Sequence, residues 1–232
     1  MDALRLSSAG LTRSSQVALA LTLVGYPALY CAGFMGPIVN SLLNGSRVHW
    51  WQFWGVNMVL HLGAFAVVVF ALRQSGENWS SVGLDTGWWK KHRMTWGFLL
   101  ALLLLGAWVL PGVYYGADPP LLSGTHFMGP VSRGERLFVI AGSLVVGFTE
   151  EVLFRGFALT RLARIMPAAA AVVVSTVSFV FIHGTPRSLE GAFSYVAASL
   201  LFAVPFVLMK YRRLEWLIFI HVLIDASLAL AP

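Results

Sequence analysis

Residues 14–46, 48–72, 94–117, 165–186 and 191–209 contain no Asp, Glu, Lys or Arg. A helix crosses a hydrocarbon core of about 30 Å with roughly 20 apolar residues. Runs of this length and character are therefore helical spans, and little chain is left between them. Apolar residues make up 58% of the 232 and charged residues only 11%, whereas soluble domains carry about a quarter charged residues. There is no room for a second, soluble domain.

The expected fold class is all-α, a polytopic transmembrane bundle of about seven spans. They are Gln16–Met35, Trp50–Leu72, Met94–Tyr115, Glu135–Ala163, Pro167–His183, Gly191–Met209 and Glu215–Ala231. Trp50, Trp51, Trp54, Trp88, Trp89, Trp96 and Trp216 fall at or near span ends, where an aromatic belt sits at the membrane interface. Gly36-Pro37, Asp118-Pro119-Pro120, Gly129-Pro130 and Gly184-Thr185-Pro186 punctuate the connections. The longest polar stretch, 74–93, is expected along the interface. No internal repeat is present.

The formal charge is +6 and the pI near 9.9. No Lys/Arg-rich run is interleaved with aromatics, so nucleic acid is not an expected partner; the lipid bilayer is. Basic residues in such a chain mark cytoplasmic connections. With seven spans, Arg5, Arg13, Arg73, Lys90, Lys91, Arg93, Arg161, Arg164, Lys210, Arg212 and Arg213 share one side, and Arg47, Arg133, Arg136 and Arg187 the other. That excess predicts a cytoplasmic N-terminus, in an inner or plasma membrane. Arg5 and Arg13 flank an apolar stretch as in a signal peptide, but the stretch continues past Cys31, which predicts an uncleaved anchor. The single cysteine, Cys31, rules out an internal disulfide and a cysteine metal cluster.

Ionisable residues inside the spans carry the most information, because each costs about 3 kcal/mol at a helix centre. The fourth, fifth and seventh spans hold Glu150, Glu151, Arg155, His183, His221 and Asp225. The four formally charged members would cost on the order of 10 kcal/mol unless they partner one another. Glu151 and Arg155 are four apart with the acid first, the favourable order for an ion pair on one face. Glu150 points about 100° away, free of that cation and suited to act as a general base. His221 and Asp225 are also four apart. His183 ends the fifth span, just ahead of Gly184 and Pro186. Three helices can thus bring Glu150, His183 and His221 to one cavity. His61, alone in the second span, fits a hydrogen-bonded packing residue, while His49 and His126 fit loops.

Glu150-Glu151-Val152-Leu153-Phe154-Arg155-Gly156 resembles the E-E-x-x-x-R motif of the CAAX prenyl protease and bacteriocin-processing family, the type II CAAX prenyl endopeptidase-like intramembrane glutamic peptidases. Phe179-Val180-Phe181-Ile182-His183 is similar to that family's F-x-x-x-H motif, and His221-Val222-Leu223-Ile224-Asp225 to its H-x-x-x-N/D motif. The three occur in order, one per span. The charge count makes 1–15 a cytoplasmic tail and leaves 16–232 as a CAAX-protease-like membrane domain; the resemblance itself covers a motif-bearing core at about 129–232, and the first three spans match only in being hydrophobic.

It further implies roles. Glu150 activates a water for attack on a peptide carbonyl and His183 helps hold that water. His221 and Asp225 stabilise the oxyanion, while Glu151, Arg155 and Phe179 support the site. The substrate is a membrane-associated protein or peptide, and no cofactor is needed. An ionised Asp225 would repel an oxyanion, so it must be protonated or act through His221. Zinc on two His and a Glu is the rival mechanism, although H-E-x-x-H is absent. A membrane immunity or scaffold protein, keeping the motifs as a buried polar network, is the non-enzymatic alternative.

Overall fold

The computed structural model describes residues 10–84, 127–128, 130, 132–183 and 189–230. The expected span Met94–Tyr115, His126, Trp88, Trp89, Trp96, residues 1–9 of the tail and residues 85–93 of the 74–93 connection lie outside the described residues. What is described is mostly helix. Helix α1 runs continuously through Arg13–Ala20, Leu21–Gly25, Tyr26–Tyr30, Cys31–Met35 and Gly36–Leu43; Leu21–Gly25 and Cys31–Met35 are π-helical. Then follow β1 (Val48–His49), α2 (Trp50–Gln74), a 3-10 turn (Trp79–Val82), β2 (Phe127–Met128), α3 (Arg133–Leu162), α4 (Ala168–Ile182), α5 (Leu189–Leu208) and α6 (Leu214–Leu230). The two short strands pair in parallel, Val48 with Phe127 and His49 with Met128.

Among the described residues, three helical segments are long and apolar enough to cross a membrane: Arg13–Ile38, Trp50–Gln74 and Arg133–Leu162. Ala168–Ile182 and Ala192–Leu208 are apolar but shorter. Fifteen residues of α4 rise only about 22 Å, less than the hydrocarbon thickness. The described residues thus hold three helices of crossing length with shorter apolar helices packed against them, and of the seven expected spans Met94–Tyr115 lies outside the described residues.

The longest of the three, α3, is the centre of the bundle. Residues 151–162 are buried on every face, which makes this a helix that can hold charge without meeting lipid. Its start is fixed by a capping box: Ser132 Oγ accepts from Glu135 N at 3.2 Å, and Ser132 N donates to Glu135 Oε2 at 2.8 Å. Residues Glu151–Leu159 are π-helical, a rare form that concentrates at functional sites. Ser175 Oγ of α4 donates to the Phe154 carbonyl within that stretch, at 3.0 Å.

Small residues set how closely the neighbours approach. A Cβ on Gly147 would lie 2.9 Å from Val222 Cγ2 and 3.1 Å from the Val222 backbone nitrogen; one on Gly156 would lie 2.9 Å from Leu214 Cδ2. Position 147 thus faces 222 and 156 faces 214, so α3 and α6 are antiparallel and in backbone contact at the motif. On the other side, Trp54 of α2 packs where a Gly142 Cβ would be.

The connection after α2 is anchored rather than loose. Arg161, wholly buried in α3, donates through Nη1 to the Ser81 carbonyl at 3.0 Å and to Thr160 Oγ1 at 2.8 Å. Its Nη2 bonds Ser81 Oγ at 3.1 Å and the carboxylate of Glu77. Arg164 reaches the other oxygen of Glu77 at 3.1 Å. Counted from sequence as a loop cation, Arg161 is instead a buried tie. Gly83 closes the turn at φ 84°, and its carbonyl accepts from Leu214 N at 3.1 Å, docking the start of α6.

Candidate active site

Glu150, at the last residue before the π-helical stretch, is 4% exposed. Its two carboxyl oxygens have different surroundings. Oε1 is 2.9 Å from Nε2 of His61 in α2. Oε2 lies 3.6 Å from Nε2 of His221 in α6 and takes no hydrogen bond from any described residue. One carboxylate thus bridges α2 and α6 through the central helix.

The neighbouring acid faces differently, as its helical offset dictates. Glu151 Oε1 lies 3.2 Å from Arg155 Nη1 and 2.7 Å from Nδ1 of His221. Arg155, wholly buried, donates through Nη2 to the Ser199 carbonyl at 3.2 Å and to Ser199 Oγ at 3.4 Å. Its guanidinium sits 4.1 Å from the centre of the Phe179 ring and 5.4 Å from that of Phe202, a desolvated arrangement in which an aromatic face stabilises a cation. The Phe202 ring also stacks on His221, centroids 5.0 Å apart. Phe179 therefore covers the arginine rather than the glutamates.

His221 is gripped between three carboxyl groups. With the Arg155 guanidinium beside it, Glu151 Oε1 is the acceptor and Nδ1 of His221 the donor. That leaves Nε2 turned toward Glu150 Oε2 at 3.6 Å and Asp225 Oδ1 at 3.7 Å. The orienting partner expected from the i, i+4 spacing was Asp225; the short contact belongs to Glu151.

His183 caps α4. Its Nδ1 donates to the Phe179 carbonyl at 3.0 Å, which leaves Nε2 as the face available to other groups. The ring lies between Phe179 and Tyr195, at 4.6 and 5.0 Å. It is within electrostatic reach of Glu150 and His221, although no hydrogen bond joins it to either among the described residues. Residues 150, 183 and 221 thus share one neighbourhood, with 150 and 221 in direct contact.

Residues of the first two helices enter as well. His61 is wholly buried and donates through Nδ1 to the Asn57 carbonyl at 2.9 Å. Tyr30 OH donates to Asn57 Oδ1 at 2.7 Å. Tyr26 and Tyr30 set their rings edge-on to His61 at 5.6 and 5.5 Å. The sequence reading gave His61 a packing role; its bond is to Glu150 itself. The signal was present as Asn57-x-x-x-His61 and Tyr26-x-x-x-Tyr30, polar and aromatic pairs one turn apart on single faces. Among the described residues no three His, Cys, Asp or Glu side chains are grouped as a metal-ligand set.

Residues 132–227 match the family model described as type II CAAX prenyl endopeptidase Rce1-like. No curated protein and no solved structure matches the chain.

Proposed function

We propose, from the match of residues 132–227 to the Rce1-like type II CAAX prenyl endopeptidase model, that this integral membrane protein is an endopeptidase cutting a membrane-associated protein or peptide. Glu150 Oε2 takes a proton from water as the water oxygen attacks the scissile carbonyl, and His183 Nε2 helps hold that water. The oxyanion is stabilised from His221. The proton then passes to the leaving amine as the C–N bond breaks.

The observation that carries this assignment is the asymmetry of the Glu150 carboxyl. One oxygen is bonded and the other is turned toward an imidazole nitrogen 3.6 Å away. A buried oxygen without a hydrogen bond is costly; Glu151 Oε2 shares that cost, and what singles out Glu150 is that each of its oxygens lies beside an imidazole of a different helix. For His221 to donate to an oxyanion through Nε2 while Nδ1 donates to Glu151, the ring must be an imidazolium at that step. Asp225, 3.7 Å from Nε2, then balances the ring's charge. This answers the objection that a carboxylate would repel the oxyanion: Asp225 acts through His221. The excess of Lys and Arg on alternate connections supports a cytoplasmic N-terminus.

The test compares membrane proteins by mass spectrometry from cells expressing the wild-type chain or Glu150→Gln. A fragment made by the first and not by the second identifies a substrate. Full cleavage of that substrate by purified, folded Glu150→Gln excludes Glu150 as the base. A scaffold that merely kept the network would work equally well with either residue, because the volume hardly changes.

A further inference from the structure

The environment of His61 goes further than the family motifs, none of which includes α2. Its Nδ1 faces a backbone carbonyl, the Asn57 oxygen at 2.9 Å. A carbonyl only accepts, so the Nδ1 proton is fixed there. The contact on the opposite side, Nε2 to Glu150 Oε1 at 2.9 Å, must then hold one proton, whichever partner owns it. If Glu150 is the carboxylate, His61 is the imidazolium; if His61 is neutral, Glu150 is the acid. The ring cannot turn to evade this choice. Tyr26 and Tyr30 wall it edge-on, and Tyr30 OH fixes the Asn57 side chain at 2.7 Å on the same turn.

We propose that His61 is the positioning partner of Glu150, a donor from the second helix that holds the carboxyl in one orientation, keeps it ionised, and leaves Oε2 as its only basic oxygen. The proposal rests on Glu150 being the base. The balance of the step is simple. The proton between Nε2 and Oε1 stays in place, the water proton goes to Oε2, hydroxide forms the new C–O bond, and the same Oε2 proton leaves with the amine. Without His61, either oxygen could rotate toward the substrate, and nothing from α2 would favour the ionised carboxyl. The other charged and titratable groups around Glu150 are Tyr26 and Tyr30 from α1, Glu151 and Arg155 from α3 itself, His183 at the end of α4, and His221 and Asp225 from α6. Among the described residues none of them hydrogen-bonds Oε1, so they do not duplicate the bond to His61.

The alternative is that the His61–Glu150 bond only ties α2 to α3. Kinetics separate the two, because a tie affects folding and a positioning donor affects turnover. Three variants, His61→Leu, His61→Gln and Glu150→Gln, are purified, checked for thermal unfolding, and assayed on the substrate identified above. His61→Leu is expected to lower kcat about a hundredfold in the folded fraction with KM unchanged, the size of effect that misorienting a general base produces. His61→Gln, whose amide can still donate to Oε1, is expected to recover at least about tenfold of that loss. The inference is overturned if both His61 variants turn over like wild type, if the loss lies only in melting temperature or KM, or if His61→Gln is as slow as His61→Leu while folded. Glu150→Gln keeps the two ideas apart. An inactive Glu150→Gln beside fully active His61 variants sinks this inference alone, while an active Glu150→Gln sinks the assignment beneath it.

Discussion

Helix α3 carries two buried ionic clusters, and they differ in kind. Near its C-terminal end, Arg161 and Arg164 share the carboxylate of Glu77, and both terminal nitrogens of Arg161 are hydrogen-bonded to Glu77, Ser81 or Thr160. Around its middle, Glu150, Glu151 and Asp225 meet one arginine and several imidazoles, and Glu150 Oε2 takes no hydrogen bond from any described residue. The first cluster is made of two arginines and one carboxylate, and its bonds tie a connecting turn, through Glu77 and both the carbonyl and hydroxyl of Ser81, to the end of α3. The second contains imidazoles, which can change protonation state near neutrality. Burial alone does not mark a site, since each cluster is built on a wholly buried arginine, Arg161 in one and Arg155 in the other. What separates them is what the unbonded atoms include: Nε of Arg161 and of Arg164 in the first cluster, and a carboxyl oxygen beside an imidazole, a proton carrier, in the second.

The sharpest way to break this comparison is Glu150→Gln. Cleavage should fall about a thousandfold, within the range that general-base catalysis contributes, while thermal unfolding of the purified protein moves little. Next comes Gly147→Ala, which touches neither cluster. Its new Cβ would press on the Val222 backbone and push α6, with His221, off α3. A loss of about 1–3 kcal/mol in stability is expected from overpacking, accompanied by slower cleavage in the folded fraction; wild-type kinetics there would mean that the α3–α6 spacing is not critical. Arg161→Met should do the opposite. It should cost about 2 kcal/mol, less than breaking a wholly enclosed pair because Glu77 keeps Arg164, and leave kcat of the folded protein intact. A fall in kcat matching that of Glu150→Gln would erase the distinction between the clusters. The smallest effect is expected from a strong zinc chelator, which should leave the cleavage rate unchanged. Inactivation by the chelator, reversed by added zinc, would move Glu150 from base to ligand.

Much of the central site was legible because lipid makes charge expensive. Glu150, Glu151, Arg155, His183, His221 and Asp225 stand out in otherwise apolar runs, and the Glu151–Arg155 pair follows from helical spacing alone. Depth was harder to read. Counted from helix starts, Glu150 and His221 lie at different heights, yet they are 3.6 Å apart. Helix α3, at 30 residues, runs past the point where Leu214 opens α6, and only the antiparallel register of Gly147 with Val222 shows it. His61 was passed over because a single histidine in an apolar span has a common bland explanation. Its partner is 89 residues away, and no local pattern reports a contact at that separation. The same holds for Arg161, whose position at a helix end resembles that of any cytoplasmic cation until Glu77 and Ser81 fold back onto it.

By itself, the sequence determined that this chain enters a membrane as helices and that the residues able to do chemistry lie on particular turns of them. Both follow from local rules, the length of an apolar run and the angle between neighbours on a helix. Which nitrogen meets which oxygen was decided only by packing: His61 on one side of Glu150, His221 on the other, and Glu151 rather than Asp225 in the short contact with His221. Those choices depend on how close α2 and α6 come to α3 and at what height, and that is set by Gly142, Gly147 and Gly156 against side chains far away in the chain.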